Sequence, residues 1–283
     1  MPLALILSSH VAGSRVGGLA QALALAPLGV DAAPVPTVLF GRHPGWGPPG
    51  GGAVDDATFR GMLQGLEAHR AFGLADVLIT GYFASPDQVC AAAETIDKVR
   101  ATTDRAGAYS GGCVVVVDPI MGDEGGGLYV KPAVAEAVAR ELVPRADWIT
   151  PNAWELARLS GAPATSPERA VAAARALGTP TLATSIACGD GRIGLCLVTS
   201  EEAVLFSHAR LEKVPHGTGD LVAALFAARL IKDGAPLAAA EAAARAAAEA
   251  VEASVAWDAF ELPIVALGER LAKPTAAIEI ARL

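Results

Sequence analysis

Short apolar runs alternate with helical patterns along most of this chain. LALIL at 3–7, ADVLIT at 75–80, CVVVV at 113–117, ADWIT at 146–150 and PTLATS at 180–185 are the clearest. Each is too short for a helix, and most are apolar at neighbouring positions. That is the mark of strands covered on both faces, as in parallel sheets. Parallel neighbours need long crossovers, and the helical patterns between the runs supply them. The class that follows is α/β with a mainly parallel central sheet.

The remaining elements fit that frame. LAQALALAPLG reads as a helix closed by Pro27 and Gly29. PVPTVLF is strand-like, but Pro34 and Pro36 remove ladder donors, so it belongs at an edge or is irregular. GRHPGWGPPGGG, 41–52, reads as a mobile flap without strands. The residues before it are too few for a core of their own, which argues against a domain boundary. Asp56 is expected to cap a helix reaching about Phe72, and Ser85-Pro86 to open another, with Gln88 bonding back. PAVAEAVAREL is a helix, and so is PNAWELARLSG, ended by Gly161; Ser166-Pro167 opens the next. Residues 186–208 read as paired strands, followed by a helix after GTG, one or two Ala-rich helices and a last strand in AAIEIARL. With no internal repeat or linker, residues 1–283 read as one domain.

Charge excludes some partners. A net charge of −8 is wrong for a nucleic-acid binder, although local backbone dipoles can still hold phosphate. The four cysteines form no C-x-x-C pair and read as reduced, buried side chains. The start lacks the basic region of a signal peptide, and the Ala-rich stretch is interrupted by Glu and Arg, so no membrane segment is expected and the cytoplasm is the expected location.

Chemistry should gather where parallel strands end. Ser8-Ser9-His10, Gly81-Tyr82, Asp118-Pro119, Thr150-Pro151-Asn152 and Thr184-Ser185 all follow strand-like runs. VPHGTGDLVAALFAARL, 214–230, adds a second feature. Gly217 and Gly219 permit unusual backbone angles and close approach, and the helix behind them presents free N–H groups. Together they form an anion hole suited to phosphate. Asp220 is either a first-turn carboxylate answering the helix dipole or a base for an attacking hydroxyl. DPIMGDEGGG offers Asp118, Asp123 and Glu124, either as an acidic turn or as a loop near phosphates and magnesium waters. Asn152 and Glu155 are either helix caps or parts of that loop's chemistry. No Walker loop is present.

Five segments carry a resemblance. SSHVAGSRVGG with the flap, ITGYF, DPIMGDEGGGLYV, ADWITPNAWELARLSG and VPHGTGDLVAALFAARL resemble, in that order, the signatures of the pyridoxal kinases of the ribokinase-like superfamily. The resemblance implies a three-layer α/β/α fold without a separate lid domain, and a cytoplasmic homodimer. It implies transfer of the ATP γ-phosphate to the 5′-hydroxyl of pyridoxal, with pyridoxine and pyridoxamine as further acceptors. Asp220 would then be the base, and Gly217, Thr218 and Gly219 the anion hole. Ser9, Val16, Phe40, His43, Pro44 and Tyr82 would line the acceptor pocket. Asp118, Asn152, Glu155, Thr184, Ser185, Phe206 and Val214 would lie along ATP. Asp118 and Glu155 would serve Mg²⁺ largely through water, and Thr150 and Thr184 a monovalent cation such as K⁺. Three departures stand out, one of them the flap itself, lengthened and loosened by Gly47-Pro48-Pro49-Gly50-Gly51-Gly52. Gly18 replaces a common Asn, and Pro44 replaces a common Thr that meets substrate. Competing readings are a hydroxymethylpyrimidine or sugar kinase of the same superfamily, and a pyridoxal-binding protein without turnover. The pyrimidine kinases usually carry Cys in place of the acid at Asp220.

Overall fold

A computed structural model of the chain describes residues 1–102 and 112–283. In chain order the strands are β1 (Leu3–Val11), β2 (Asp31–Phe40), β3 (Gly51–Ala53), β4 (Val77–Thr80), β5 (Val114–Val117), β6 (Gly122–Asp123), β7 (Gly127–Leu128), β8 (Trp148–Ile149), β9 (Thr181–Ala187), β10 (Arg192–Val198), β11 (Ala203–Ala209) and β12 (Glu279–Arg282). The helices are α1 (Gly17–Leu25), α2 (Asp56–Ala68), α3 (Ala71–Leu74), α4 (Pro86–Thr102), α5 (Pro132–Ala137), α6 (Ala153–Ser160), α7 (Pro167–Leu177), α8 (Thr218–Asp233), α9 (Pro236–Ala256) and α10 (Ile264–Ala272).

One ten-stranded sheet runs β12-β11-β10-β9-β8-β5-β4-β1-β2-β3, and β6 and β7 form a separate small hairpin. The block from β2 to β9 is parallel; β3 and β10–β12 are antiparallel additions at its two sides. Side chains alternate across each strand, so the apolar runs feed two cores. Ala4, Ile6, Ile79 and Val116 pack toward α1, α8, α9 and α10, while Leu5, Leu7, Leu78 and Val117 pack toward α2–α5. The three-layer α/β/α arrangement expected from the resemblance is therefore present.

The α8 helix is buried over most of its surface. Phe226 on α8 meets Trp148 of β8 edge to face, with centroids 5.1 Å apart. Behind α8, α9 buries Ala239, Ala240, Ala243, Ala244 and Ala247, and these small side chains let the two helices lie close. No helix among the described residues is long and apolar enough to cross a membrane.

Several local expectations change. The β1 strand does not stop at Leu7 but runs through Ser8, Ser9 and His10 to Val11, with an irregularity against β2 between Ser8 and His10. Pro34 and Pro36 do sit in β2, in the half that β3 leaves uncovered, where a missing N–H costs no ladder bond. The flap is not strandless. Gly51–Ala53 pairs with Val38–Phe40, and at Gly51, with φ +87°, a Cβ would lie 2.0 Å from the Leu39 carbonyl oxygen. Only glycine allows that approach. This short strand extends the main sheet and builds no lid.

Asp55, not Asp56, caps α2 by accepting from the Thr58 amide, and Asp56 instead accepts from the Ser85 hydroxyl. As expected, Ser85 caps α4 by accepting from the Gln88 main-chain amide and the Gln88 side chain bonds back, to the Ala84 amide, while its buried amide group donates to the Thr37 and Val54 carbonyls. Those bonds tie α4 to both ends of the flap hairpin. The helix through PAVAEAVAREL loosens into a π-helical turn at Val138–Leu142. In α2, Gly61 is exposed, and a Cβ there would meet nothing within 4 Å. Gly61→Ala should therefore stabilise the protein by about 0.5–1 kcal/mol, read as a higher urea midpoint at unchanged m-value.

Candidate active site

Strand register decides which polar residues meet. Asp118 shares a face with Val116, Thr150 with Trp148 and Thr184 with Leu182, by the two-residue repeat. That is the face on which α8 packs. The polar ends of β5, β8 and β9 thus lie beneath the start of α8, beside a cavity of about 810 Å³, and on β1 it is Ser9, at the irregularity after Ser8, that reaches the cavity.

Ser9, Val16, Phe40, His43, Pro44, Tyr82, Asp118, Thr150, Asn152, Glu155, Thr184, Ser185, Val214, Gly217, Thr218, Gly219 and Asp220 all line this cavity. Phe206 does not. It is fully buried in the core beneath the helices, and the cavity wall on β11 begins one inward-facing position later, at His208. The resemblance put Phe206 beside the nucleotide; α9, packed across β11, covers it instead. Gly18 also lies off the cavity. A Cβ there would contact Ile6 and Pro34 at ordinary distances, so this departure alters the contact of α1 with the sheet.

Asp220 occupies the first turn of α8 and is 8% exposed. Burial pushes its pKa up to about 6, against a smaller opposing effect of the Gly17 amide. Its Oδ1 is buried and has no hydrogen-bond partner within the protein. The two glycines before it differ in their reasons. Gly217 has φ +100°, and a Cβ on it would lie 2.2 Å from the Arg15 carbonyl oxygen. Gly219 is helical and needs no special angle, contrary to expectation. A Cβ there meets nothing within 4 Å, so its absence leaves open space beside the helix N-terminus. The Arg15 amide is held in turn by Glu261, at 2.9 Å.

Asp118 is also buried, and its pKa is raised well above the ordinary carboxylate range. Burial is the main cause, followed by the negative charges of Asp220 and Glu155; the Thr150 hydroxyl acts in the opposite direction. Both cap alternatives at 152 and 155 are realised. The Asn152 side chain accepts from the Glu155 amide, and Glu155 Oε2 accepts from the Asn152 amide, each at 2.9 Å. Glu155 Oε1 accepts from the Met121 amide at 2.8 Å, and Asn152 Nδ2 donates to the Gly122 carbonyl. Burial raises Glu155 to a pKa of about 7 despite these bonds. The pair thus pins the DPIMG loop to α6. Ser185 has φ +57°, unusual for a residue with a side chain, at an irregularity between β9 and β10.

The opposite wall was only partly legible in the chain. Ile193, Gly194 and Leu195 of β10, His208, Arg210, Tyr129 and His216 all line the cavity. The β10 positions depend on how the antiparallel strands fold back, whereas Tyr129 lies at the end of the DPIMGDEGGGLYV segment, His208 and Arg210 fall in the stretch from Phe206 to Val214, and His216 directly precedes the glycines. All four cysteines are unpaired, and burial pushes the Cys113 and Cys196 thiols up to about 12, as suits inert side chains.

Residues 76–264 match the phosphomethylpyrimidine kinase family. A pyridoxine/pyridoxal/pyridoxamine kinase of Bordetella avium is 35% identical over 261 residues, covering 90% of this chain and 86% of that protein. A pyridoxal kinase of Corynebacterium diphtheriae is 30% identical, covering 99% of each chain. Among solved structures, the pyridoxal kinase of Leishmania donovani in complex with ADP and pyridoxamine superposes with a TM-score of 0.90, at 26% identity and full coverage of both chains. With the strand-end row, the buried acid and the helix N-terminus arranged as described, the chain belongs to the pyridoxal kinases within the phosphomethylpyrimidine kinase family, and it is an ATP-dependent kinase.

Proposed function

We propose that the protein transfers the ATP γ-phosphate to the 5′-hydroxyl of pyridoxal, accepting pyridoxine and pyridoxamine as well. One observation carries this reading. Asp220 lines a cavity that also holds the open N-terminus of α8, and one of its carboxylate oxygens is buried without a partner in the protein. In the reaction, the acceptor hydroxyl gives its proton to Asp220 as its oxygen attacks the γ-phosphorus. The bond from that phosphorus to the bridging oxygen breaks, and ADP leaves. The amides at Gly217–Gly219 receive the charge that builds on the transferred oxygens. A pKa near 6 leaves Asp220 ionised at neutral pH yet close enough to accept a proton.

Ser9, Val16, Phe40, His43, Pro44 and Tyr82 would hold the pyridine ring, and the wall from β9 to Val214 the nucleotide. Magnesium would neutralise the phosphates. Among the described residues no three His, Cys, Asp or Glu side chains gather to bind a metal directly. Both Glu155 oxygens are already bonded to main-chain amides, which leaves Asp118, with Asp123 on the same cavity wall, to face a hydrated ion. The crowding of Asp118, Asp220 and Glu155 charges fits such an ion. Thr150 Oγ1, buried beside the Asp118 carboxylate, and Thr184 suit a monovalent cation. We read the chain as one kinase domain that works as a cytoplasmic homodimer.

An ATP-consumption panel with pyridoxal, pyridoxine, pyridoxamine and hydroxymethylpyrimidine tests the assignment. The highest kcat/KM is expected with a pyridoxal-type acceptor. A preference for hydroxymethylpyrimidine would replace this reading with the pyrimidine kinase one.

A further inference from the structure

His216 touches the flap from outside it. Its ring stacks on His43 with centroids 4.3 Å apart and planes 25° from parallel. Trp46, three residues further along the flap, meets the same ring edge-on at 5.9 Å. Trp46 is backed by Phe260, stacked at 4.9 Å, from the segment between α9 and α10. His216 therefore sits between two flap rings, one residue before the strained glycine that opens α8.

The flap backbone is shaped to this contact. His43 Nδ1 accepts from the Gly45 amide at 3.1 Å, which turns its ring toward His216. A Cβ on Gly45 would lie 2.9 Å from His43 Nδ1 and 3.2 Å from His216 Nε2, so a larger residue there would have to push the rings aside. The His43 pKa is lowered, first by burial and then by His216, with Glu261 acting the other way. A neutral His43 is the form that stacks on a second imidazole without charge repulsion.

We propose that His216 is a positioning residue for the acceptor. It holds His43 and Trp46, and with them the flap, against the anion-hole loop, so that the pocket wall at His43 and Pro44 is in place before the alcohol binds. The proposal rests on the acceptor assignment above. His216 itself lines the cavity, so direct contact with the acceptor is the rival role, and coupling to His43 is what separates the two. Loss of the ring should raise KM for pyridoxal, and change kcat and KM for ATP less. The size expected from one or two aromatic contacts is roughly three- to tenfold.

The test is a cycle of wild type, His43→Ala, His216→Ala and the double variant, each measured for KM and kcat with pyridoxal and with ATP, alongside His216→Phe. Thermal melts on every variant separate unfolding from mispositioning. If His216 acts through His43, His216→Ala raises KM for pyridoxal in wild type and adds little in the His43→Ala background. His216→Phe, which keeps a flat ring, should return most of the affinity. Independent, additive losses would overturn the proposal, as would an unchanged KM in His216→Ala or a Phe variant no better than the Ala variant. A wild-type enzyme that phosphorylates no pyridoxal-type acceptor would instead refute the acceptor assignment. In that case direct pyridoxal binding to the same five proteins still decides whether the stack positions the flap.

Discussion

Asp220→Asn should lower kcat for pyridoxal phosphorylation by roughly two to four orders of magnitude while leaving pyridoxal binding within about threefold. The amide matches the carboxylate in shape and cannot take the proton. Because Asp220 is buried and its Oδ1 has no partner in the protein, its charge opposes folding and removing it costs no favourable interaction at that oxygen. The variant should fold, and its melting temperature should stay near or above that of wild type. The pH profile should agree. With a pKa of about 6, raised by burial, the base is ionised above that pH and protonated below it. For the wild type, kcat/KM should fall about tenfold per pH unit below pH 6, and the fall should vanish in Asp220→Asn. If wild type and variant bound pyridoxal equally and neither consumed ATP, the protein would be a carrier. If the variant retained more than a tenth of the wild-type rate, another group would be the base.

Gly217→Ala should be the most damaging single methyl group in the site. At φ +100° an alanine is strained wherever it stands, and here its Cβ would lie 2.2 Å from a main-chain oxygen, Arg15 O. That oxygen cannot swing aside as a side-chain tip would. The Arg15 segment is anchored by the Glu261 carboxylate and leads two residues later to the Gly17 amide that faces Asp220. Moving it displaces the base and opens the anion hole together. We expect a stability loss of about 2–4 kcal/mol and a fall in kcat/KM of roughly two to three orders of magnitude. Gly219→Ala is the informative contrast. Its methyl meets no protein atom within 4 Å and occupies the space beside the helix N-terminus. Activity should fall with the melting temperature nearly unchanged. Equal thermal losses in the two variants would contradict the different roles assigned to the two glycines.

Much of this architecture was written locally. Runs such as LALIL and CVVVV demand burial on both faces, and only a covered parallel sheet offers that to several short strands at once. Ser166, Gly161 and Pro86 marked helix ends because caps and proline positions act within one turn. The flap strand escaped notice because Gly51–Ala53 has no β propensity of its own; the open edge of β2 imposes the pairing. Asp55 and Asp56 are adjacent acids, and only the Ser85 hydroxyl, reaching from another helix, decides which of them caps.

The site divides along the same line. Residue order alone pointed to Gly217–Asp220, Asp118 and Thr150, since strand ends and helix starts are local events. Burial of Asp220, the occupation of both Glu155 oxygens, the withdrawal of Phe206 and the wedging of His216 between two flap rings depend on segments far apart in the chain. Composition and periodicity carry no record of such meetings. They follow from how α8, α9 and the flap pack, and that packing determines which polar groups lose water and which keep a free lone pair.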